Sequence, residues 1–567
     1  MNGAQTIVKF LQSKNVEHAF GYPGGPVIVL YDAIYEVGFP HILTRHEQGA
    51  AHAAEGYAKA TGKVGVMIAT SGPGSTNLVT GIADAYLDSV PVLAITGAVA
   101  RNSIGSDAFQ EADINGIVQP ITKYNYLVMK LEDLLPSLEE AWNLTTEGRP
   151  GPVLVNVPKD ILTSEIIECT TSECEYIRHR PAKTRTDTHR EDVYDALLKS
   201  SRPLMIVGGG VVISEGASGY LKTFIDKTGI PCACTLMGKG ALDEYDPKNI
   251  GLVGMHGSPQ ANIALGKCDL ILAVGMRFSD RVIGDPVNYN KKQRTIIHVD
   301  LDSAELGKLV KPTIAIEDDA AEFFKQILEG LPETDSSVRW KEWFEDLSHR
   351  KDRYDTIKEE MYDPDNGLTP QYAVHAVSKA CKGSDPILVT DVGQHQIFAA
   401  QHFKVESPRS FITSGGLGTM GFGLPAAIGA AVSSPDRRVI LFAGDGGFQM
   451  TIQELGLLSK LQCDLKVFIL DNAALGMVKQ WQELFFNKRY SQTTMDNNPD
   501  FIKIVEAYGL NGERVRSTEE FDEALNRAMS EKGPYILHCM IEGNENVYPI
   551  IPPGKQNDEM VYPWEDK

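Results

Sequence analysis

The hydrophobic positions of the chain fall into short continuous runs that alternate with amphipathic stretches. Near the start, the apolar run VGVMIAT is followed by the turn SGPG, the amphipathic stretch STNLVTGIADAYLDS and a second apolar run, VPVLAITG. The same order recurs with PLMIVGGG, VVISEGASGYLKTFIDKTG and IPCACT, and again within residues 443–472. Continuous apolar strands that alternate with helices are typical of parallel sheets covered on both faces. The pattern therefore predicts an α/β protein made of doubly wound parallel sheets.

Two polar segments interrupt this pattern. Residues 161–190 have little apolar periodicity, and residues 331–367 are charged and only partly helical in spacing. At about 150 residues per domain, a chain of 567 residues has room for three or four domains. We predict three α/β domains and a tail that is either mobile or folded over a site, at residues 1–160, 190–330, 368–540 and 541–567.

The first and last strand–turn–helix units are alike in what precedes them. A helix of small residues leads into each unit, AAHAAEGYAKATG in the first and LPAAIGAAVSS in the last. This likeness indicates a weak internal duplication.

Composition and charge restrict the class of partner. The chain carries 54 Lys and Arg against 75 Asp and Glu, a net charge of −21, which argues against nucleic acid or an anionic membrane. No apolar run reaches the roughly 18 residues of a membrane span. The N-terminal stretch is typical of an amphipathic helix and not of a signal peptide, so the cytoplasm is the expected location. The eight cysteines lack C-x-x-C spacing, and we expect reduced thiols without a sulfur-bound metal.

Two strand ends in the last unit carry candidate metal ligands. Asp445 lies in the turn G-D-G-G after one apolar run, and Asn472 follows the next run. Ligands of open parallel sheets lie beyond the carboxyl ends of the strands, where these side chains can meet. Mg²⁺ prefers oxygen ligands, and the N–H groups of Gly446 and Gly447 at a helix start can bind a diphosphate. A G-D-G-G turn alone is as readily a generic glycine-rich turn, but the matched Asn472 favours a metal–diphosphate site.

The pair resembles the thiamine diphosphate motif, which runs from G-D-G to an asparagine just after a strand. The resemblance implies a Mg²⁺ ion held by Asp445, Asn472 and the backbone oxygen of Ala474. The segment TDVGQHQ resembles the diphosphate contacts that precede this motif in the family. The implied diphosphate contacts are Val392, Gly393, Gln394, His395, Gly444, Gly446 and Gly447.

In this family a glutamate activates the cofactor by a hydrogen bond to its aminopyrimidine ring. The resemblance assigns that role to Glu47 in TRHEQGAAHAAEGYA, which would otherwise be a solvated residue at a helix N-terminus. SGGLGTMGFGLPAA supplies Gly418 and Met420, whose side chain would support the bent cofactor; a core methionine is the alternative. Because Glu47 and Asp445 lie in different domains, the resemblance implies a dimer with sites at its interface.

The resemblance becomes closer over nearly the whole chain. FGYPGG, RHEQGAA, ATSGPG, GSDAFQE, RPGPVLVNVPKD, GMHG, RFSDR, TDVGQHQ, GTMGFGLPAA and GMVKQWQ are similar to segments of the acetohydroxyacid synthase (acetolactate synthase) family of catalytic subunits. Such an enzyme decarboxylates pyruvate and condenses the hydroxyethyl group with a second pyruvate or with 2-ketobutyrate, the first common step of branched-chain amino acid biosynthesis. The resemblance also implies a homodimer or a dimer of dimers, and a separate small regulatory subunit in some members.

The same resemblance implies residues around the substrates. Phe109, Gln110, Lys159, Met477 and Trp481 match positions at the active-site entrance. Arg277 matches an arginine that binds the acceptor carboxylate, for which a bidentate fork is suited, and Trp481 an aromatic residue that favours 2-ketobutyrate. Without the family, Phe109 and Trp481 would be core residues, and Lys159 and Arg277 surface ion-pair partners.

The middle domain resembles the FAD domain of that family, in which the flavin is structural and has no net redox step. An empty Rossmann-like domain is the alternative for a lone G-G-G turn, and Met276 and Ser279 depart from the usual G-A-R-F-D-D-R. The implied FAD contacts are Gly208, Gly209, Gly210, Thr235, Leu236, Met237, Met255, His256, Gly275, Arg277, Arg281, Asp300 and Asp319.

Two alternatives remain from the sequence. Another thiamine enzyme, such as pyruvate oxidase or sulfoacetaldehyde acetyltransferase, shares much of the scaffold, whereas glyoxylate carboligase lacks the activating glutamate found here as Glu47. A cofactor-binding homologue without catalysis is disfavoured because Glu47, Asp445 and Asn472 are all present.

Overall fold

The computed structural model describes residues 1–165, 188–331, 339–461, 463–541 and 545–562. Its strands form three six-stranded sheets, and their strand pairs are parallel. Helices separate the strands along the chain. The prediction of an α/β protein with three doubly wound parallel sheets is confirmed.

The first sheet has the strand order β2-β1-β3-β4-β6-β5. Its strands are β1 (Ala19–Gly21), β2 (His41–Leu43), β3 (Gly65–Ala69), β4 (Val92–Ala98), β5 (Tyr124–Leu127) and β6 (Val153–Pro158). Its helices are α1 (Gly3–Ser13), α2 (Ile28–Val37), α3 (Glu47–Thr61), α4 (Pro73–Thr76), α5 (Val79–Leu87), α6 (Ile114–Val118), α7 (Leu134–Thr146) and α8 (Lys159–Thr163).

The second sheet has the strand order β12-β11-β10-β7-β8-β9. Its strands are β7 (Pro203–Val207), β8 (Cys232–Cys234), β9 (Asn249–Leu252), β10 (Leu270–Val274), β11 (Thr295–Asp300) and β12 (Ile314–Glu317). Its helices are α9 (Thr188–Lys199), α10 (Gly209–Ile213), α11 (Ala217–Thr228), α12 (Pro259–Lys267), α13 (Asp280–Ile283), α14 (Pro286–Lys291) and α15 (Ala320–Gly330), followed by α16 (Lys341–Met361). This is the strand order of dinucleotide-binding Rossmann sheets.

The third sheet has the strand order β14-β13-β15-β16-β18-β17. Its strands are β13 (Ile387–Thr390), β14 (Phe411–Ile412), β15 (Val439–Gly444), β16 (Leu465–Asp471), β17 (Asn511–Val515) and β18 (Tyr535–Met540). Its helices are α17 (Pro370–Cys381), α18 (Gln394–His402), α19 (Gly423–Ser433), α20 (Asp445–Met450), α21 (Leu455–Leu458), α22 (Gly476–Phe485), α23 (Phe501–Ala507) and α24 (Thr518–Ser530). Numbered within each sheet, the first and third orders are identical, which supports the internal duplication.

The first and third sheets share one hydrophobic core, which includes the small residues of α3 and α19. A Cβ at Gly56 of α3 would lie 2.0 Å from the carbonyl oxygen of Ala426, and one at Gly429 of α19 would lie 1.9 Å from that of Ala53. Only glycine permits such a close approach of two backbones. The two small-residue helices of the sequence are therefore the surfaces by which these two units pack together.

Two amphipathic stretches of the sequence form shorter, divided helices in the structure. The amphipathic stretch after SGPG forms two helices, α4 and α5, and the stretch after G-D-G-G is divided between α20 and α21. In each case short helices replace one long helix because the chain turns at the strand end before it crosses the sheet. The charged segment at residues 331–367 contains α16, and most of the other polar segment, residues 166–187, lies outside the described residues.

The C-terminal tail lies against the second unit over its described part. Ile551 N donates to Met255 O over 2.9 Å, and Asn557 Nδ2 donates to Val282 O over 2.8 Å. This supports a tail folded over a site. No helix in the described ranges is long and apolar enough to cross a membrane.

Candidate active site

Three helix N-termini meet at one pocket beyond the carboxyl ends of β13, β15 and β16. They belong to α18, α20 and α22, and their N-cap residues Gly393, Gly444 and Leu475 make no side-chain capping bond. The first N–H groups of a helix have no partner within that helix. Uncapped N-termini that face one cavity therefore offer unpaired donors and positive partial charge, which is the chemistry of an anion site.

The three predicted metal ligands line this same pocket. Asp445 is buried at the first position of α20, Asn472 follows β16, and Ala474 lies two residues further on. Carboxylate, amide and carbonyl oxygens are the donor set that Mg²⁺ prefers, so the residues present fit a magnesium ion. Burial raises the pKa of Asp445 to about 7, and a bound cation would favour its charged form.

Asn498 holds the Asp445 carboxylate in place. Its Nδ2 donates to Asp445 Oδ2 over 2.7 Å and to Asp471 Oδ1 over 3.1 Å. The other carboxylate oxygen of Asp471 lies 2.8 Å from Nε2 of His538. This chain of contacts fixes the aspartate that ends β16 and the one that begins α20 relative to each other.

Gln394 and His395 lie in the first turn of α18 and line the pocket. Burial lowers the pKa of His395 to about 3, so the ring is neutral, and its buried Nε2 has no hydrogen-bond partner among the described residues. A Cβ at Gly444 would lie 2.8 Å from His395 Nδ1, and one at Gly476 would lie 2.1 Å from Gln394 Oε1. Glycine at both positions therefore lets the side chains of His395 and Gln394 pack closely against these two turns.

Gln394 also connects the pocket to the C-terminal tail. Its Nε2 donates to Gln480 Oε1 over 2.9 Å and to Glu545 O over 3.1 Å, and its Oε1 accepts from Asn472 Nδ2 over 3.2 Å. Gln480 is buried, and it accepts from Val547 N and donates to Val547 O, both over 2.9 Å. The tail is therefore hydrogen-bonded to the same side chain that borders the metal ligands.

Asp391 shapes the segment that carries Met420. Its buried carboxylate accepts from the N–H groups of Val392, Gly421 and Gly423 over 2.7 to 3.1 Å. These bonds fold the segment back over the end of β13, so that Met420 borders the pocket.

A cleft with a volume of about 1160 Å³ adjoins this pocket and reaches the second sheet. Met420, Met477 and Val478 line both cavities, together with Val392 and Gly393. Trp481, Arg277 and Gly418 line the cleft, and the Trp481 ring lies 5.1 Å from that of Phe485. Of the predicted entrance residues of the third unit, Met477 thus lies between the two cavities, and Trp481 lines the cleft alone.

The predicted flavin contacts converge on the same cleft, at the strand-order reversal between β7 and β10 where Rossmann sheets bind ligands. Gly208 does not line the cleft, because it packs against the end of β10, where a Cβ would lie 2.3 Å from Gly275 O. The contacts that do line the cleft are Gly209, Gly210, Thr235, Leu236, Met237, Met255, His256, Gly275, Arg277, Arg281, Asp300 and Asp319.

Individual side chains in the cleft have distinct environments. Burial raises the pKa of Asp300 to about 6. Asp319 accepts from Ser214 Oγ over 2.7 Å and caps α15 by accepting from Ala321 N over 2.9 Å. Arg281 is exposed, and its Nη1 lies 3.5 Å from Met255 Sδ. The cleft is large enough for a dinucleotide and lined mainly by apolar groups with a few polar ones, as ligand sites are.

The predicted site residues of the first unit do not line these two cavities. Glu47 is buried at the start of α3, where it accepts from Asn77 Nδ2 over 2.9 Å. Phe109 is 88 % exposed, Gln110 has a φ of 62°, and Lys159 is exposed at the start of α8. A single chain therefore brings together one set of predicted residues and leaves a second set on another face.

Glu454 connects the third unit to the segment that precedes Glu47. Both of its carboxylate oxygens accept from Arg45 N, over 3.0 and 3.1 Å, and burial raises its pKa to about 7. The sequence pattern does not single out Glu454, Asn498, Asp391 or Gln480. Asp391 and Gln480 lie within the quoted segments TDVGQHQ and GMVKQWQ, whereas Glu454 and Asn498 lie in ordinary helix and loop sequence and carry no local signal.

Family profiles match each of the three units, and the similar proteins align with 99% of this chain. The profile of the thiamine pyrophosphate enzyme N-terminal TPP binding domain matches residues 1–117, that of the central domain residues 190–327, and that of the C-terminal TPP binding domain residues 391–539. The chain is 45% identical over 565 residues to the acetolactate synthase isozyme 2 large subunit of Escherichia coli (strain K12), with 99% of each chain covered. It is 43% identical over 563 residues to the acetolactate synthase large subunit of Lactococcus lactis subsp. lactis (strain IL1403), covering 99% of this chain and 96% of that one. A probable acetolactate synthase large subunit of Methanocaldococcus jannaschii is 43% identical over 573 residues, with 99% and 95% covered.

Proposed function

Because the chain belongs to the acetolactate synthase large-subunit family of thiamine diphosphate enzymes, we propose that it makes 2-acetolactate from two molecules of pyruvate, with release of carbon dioxide. With 2-ketobutyrate as the acceptor, the product is 2-aceto-2-hydroxybutyrate. The observation that carries the proposal is the convergence of three uncapped helix N-termini with Asp445, Asn472 and Ala474 on one pocket.

The third unit is proposed to hold the diphosphate and Mg²⁺. When bound, thiamine diphosphate supplies the electron sink for decarboxylation. The N–H groups at the starts of α18, α20 and α22 would bind the diphosphate, and Asp445, Asn472 and Ala474 O would hold a Mg²⁺ ion that offsets its charge. The neutral imidazole of His395, with its unpartnered Nε2, is a further donor or acceptor for the same group.

Glu47 is proposed to hold a proton against a ring nitrogen of the cofactor. Its carboxylate is buried and is oriented by Asn77, and the N–H of Arg45, two residues earlier, is bound by Glu454. These contacts fix the start of α3 and limit the freedom of Glu47. A positioned carboxylate of this kind contributes a rate factor of about 10² to 10⁴ as a general acid or base.

A second copy of the chain is proposed to complete the site. Glu47, Phe109, Gln110 and Lys159 lie away from the two cavities of their own chain. An isologous dimer can bring the first unit of one copy to the third unit of the other, and two such sites form at once by symmetry. Whether two dimers associate further does not affect this arrangement.

The cleft is proposed to admit the 2-keto acids and to bind FAD. Met477 borders the opening from the cleft into the diphosphate pocket, and Trp481 and Arg277 line the cleft, where the Arg277 guanidinium can pair with a carboxylate. The Rossmann strand order and the glycine turn at Gly209 and Gly210 support a flavin nucleotide in the rest of the cleft. The reaction has no net redox change, so the flavin would be structural.

The flavin proposal has a direct spectroscopic test. Protein purified in the presence of FAD is expected to retain the flavin and to show the same flavin absorbance before and during turnover of pyruvate. Bleaching of the flavin during turnover would instead favour an oxidase, which reduces FAD in its catalytic cycle.

Glu47→Gln tests the proposed activation. We expect turnover of pyruvate to fall by at least about 100-fold, while thiamine diphosphate binding and the thermal unfolding midpoint stay close to the wild type. Glu132→Gln, a change at an exposed glutamate of the same unit, is the matched control and should leave turnover unchanged. Unchanged turnover in Glu47→Gln would refute the assignment.

Relatives that are named large subunits make a separate small subunit a further proposal.

Acetyl phosphate or peroxide as the product would favour sulfoacetaldehyde acetyltransferase or pyruvate oxidase chemistry on the same scaffold.

A further inference from the structure

A cluster of buried titratable side chains lies between α3 and α5, away from the residues assigned above. His52 and Glu55 belong to α3 and Asp84 to α5, and all three are 0% exposed. One ligand-type atom from each lies within 4.8 Å of those of the other two. The cluster is in the core beneath the loop between β14 and α19, which carries Gly418 and Met420.

Each carboxylate in the cluster has one satisfied and one unsatisfied oxygen. Glu55 Oε1 lies 2.9 Å from Nδ1 of His52, and Asp84 Oδ1 accepts from Ser414 Oγ over 2.6 Å. Glu55 Oε2 and Asp84 Oδ2 are buried and have no partner in the described part of the chain. An unpaired buried carboxylate oxygen is costly, so two of them on neighbouring acids require an explanation.

The charges around Glu55 and Asp84 also require an explanation. The nearby Asp88 is paired with Lys59, whose Nζ donates to Asp88 Oδ2 over 2.7 Å. Lys59 is thus paired with Asp88, and neither Glu55 nor Asp84 forms an ion pair with a lysine or arginine among the described residues. The contacts of His52 fit a neutral ring, because Nδ1 faces the carboxylate of Glu55 and Nε2 lies 3.4 Å from the amide nitrogen of Gln48. Two ionised carboxylates at this depth would repel each other strongly.

We propose that Glu55 and Asp84 share one proton, and that the pair positions the Ser414–Met420 segment. A proton between Glu55 Oε2 and Asp84 Oδ2 satisfies both orphan oxygens, removes one negative charge and needs no added volume. Neighbouring carboxyl groups that share one proton are a known solution to like-charge repulsion. His52 Nδ1 lies within hydrogen-bond distance of Glu55 Oε1, at 2.9 Å, which favours a proton over a divalent cation between these two groups.

The pair reaches the cofactor-binding segment through Ser414. Ser414 Oγ donates to Asp84 and accepts from Gly418 N over 3.0 Å and from Thr419 N over 2.9 Å. The adjacent Asp88 accepts from Gly415 N and Gly416 N over 3.0 and 2.7 Å. The segment is thus anchored at both of these aspartates, directly before Met420. The positioning role rests on the proposed function, whereas the shared proton does not.

The groups that face the pair set the direction of its pH dependence. They are His52 and Lys59 from α3, Asp88 after α5, and Asp391 after β13. Burial raises the pKa of Asp84 to about 8 and raises that of Glu55, and burial lowers the pKa of His52 to about 4.

A carboxyl group with a raised pKa keeps its proton in the folded state while the unfolded chain releases it. The pKa of a free aspartate is 3.8, and burial raises the pKa of Asp84 in the folded protein to about 8. The contribution of the pair to stability is therefore complete below pH of about 4 and is lost as pH rises toward about 8.

Proton release on unfolding tests the shared proton directly. In weakly buffered solution at pH 7, denaturant unfolding of Glu55→Gln or Asp84→Asn should release one proton fewer than unfolding of the wild type. Each amide can donate to the facing carboxylate, so the fold is retained. The unfolding midpoints of these variants should also rise relative to the wild type between pH 5 and pH 8. Equal proton release in all three proteins would overturn the proposal.

Two further measurements test the shared proton. The first needs no variant, and the second distinguishes the proton from a bound cation. The infrared carbonyl band of a protonated carboxyl group should be present in the folded wild type at pH 7 and weaken above about pH 8; its absence would overturn the proposal without any variant. Metal analysis after extensive chelation should find no stoichiometric divalent ion. An ion that is retained by the wild type and lost in Glu55→Gln would replace the shared proton with a metal site.

Ser414→Ala separates the positioning role from the proton. This variant should release as many protons as the wild type on unfolding, yet bind thiamine diphosphate more weakly by up to about tenfold, the effect of one hydrogen bond. Wild-type affinity in Ser414→Ala would overturn the positioning role alone. A wild-type protein that binds no thiamine diphosphate would overturn the proposed function and leave the proton count unaffected.

Discussion

The meeting of Asp445 and Asn472 at one pocket is predictable from the sequence. They follow two adjacent parallel strands, β15 and β16, so the ends of those strands bring them to one pocket. The strand pattern and the position of each polar residue after a strand were sufficient to predict that meeting. Asn498 contacts the same carboxylate but lies in a loop, and no periodicity or turn signal predicts where that loop returns.

Asp445→Asn tests the metal assignment at the residue scale. The substitution removes an anionic oxygen from the proposed Mg²⁺ site, and we expect the Mg²⁺ concentration needed for thiamine diphosphate binding to rise by at least about tenfold, a loss of about 1.4 kcal/mol. Binding followed by circular dichroism or by fluorescence quenching measures it without reference to turnover. Asp496→Asn, at an exposed aspartate of the same unit, is the control and should bind as the wild type does. Equal Mg²⁺ dependence in both variants would contradict the assignment.

The strands are predictable from continuous apolar runs of the sequence. The bounds of the helices are less predictable where the chain turns at a strand end. The sheet strands β3, β4, β15 and β16 are buried throughout and coincide with apolar runs of the sequence. The helices after the strand ends are divided, because the chain turns there before it crosses the sheet. The small-residue pattern of α3 and α19 indicates helices, but only the structure shows that a glycine of each helix packs against an alanine carbonyl of the other.

Gly56→Ala tests the close packing of α3 against α19. An added Cβ would lie 2.0 Å from Ala426 O, so backbone must shift, and overpacking of this kind costs about 1 to 3 kcal/mol of unfolding free energy. Gly219→Ala in α11 is the matched control, because its Cβ would meet no atom within 4 Å. There the gain in helix propensity should stabilise the protein by about 0.5 to 1 kcal/mol. Denaturant unfolding of both variants measures the contrast, and destabilisation of equal size in the two would show that close packing is not the cause.

At the scale of the whole molecule, the chain holds its proposed functional residues in two separate sets. The third and second units hold the predicted residues of the pocket and the cleft, whereas Glu47, Phe109, Gln110 and Lys159 of the first unit line neither cavity. The sequence could indicate this only through resemblance to a family of dimers, because no pattern within one chain encodes the position of a second copy. Likewise, the bonds from Gln394 and Gln480 to the tail depend on the packed molecule.

Mixed dimers test whether sites are shared between copies. Glu47→Gln is expected to be nearly inactive alone, and so is Asp445→Asn at a Mg²⁺ concentration that fills the wild-type site but not its own. If each site takes Glu47 from one copy and Asp445 from the other, a mixed dimer has one intact site, and random mixing should restore about a quarter of the wild-type activity. The two variants carry different affinity tags and are either co-expressed or mixed and refolded together. Purification through both tags then isolates the mixed dimer for assay. No recovery in an isolated mixed dimer would place both residues in one chain's site.

Product analysis tests the central claim most directly. The protein, supplied with thiamine diphosphate, Mg²⁺ and FAD, is incubated with pyruvate alone and then with pyruvate and 2-ketobutyrate, and the products are identified by mass spectrometry. The account predicts 2-acetolactate in the first case and both acetohydroxy acids in the second, with 2-aceto-2-hydroxybutyrate dominant if Trp481 has its proposed role. Acetyl phosphate, peroxide or no carbon–carbon bond formation would contradict the proposed function while leaving the thiamine diphosphate fold in place.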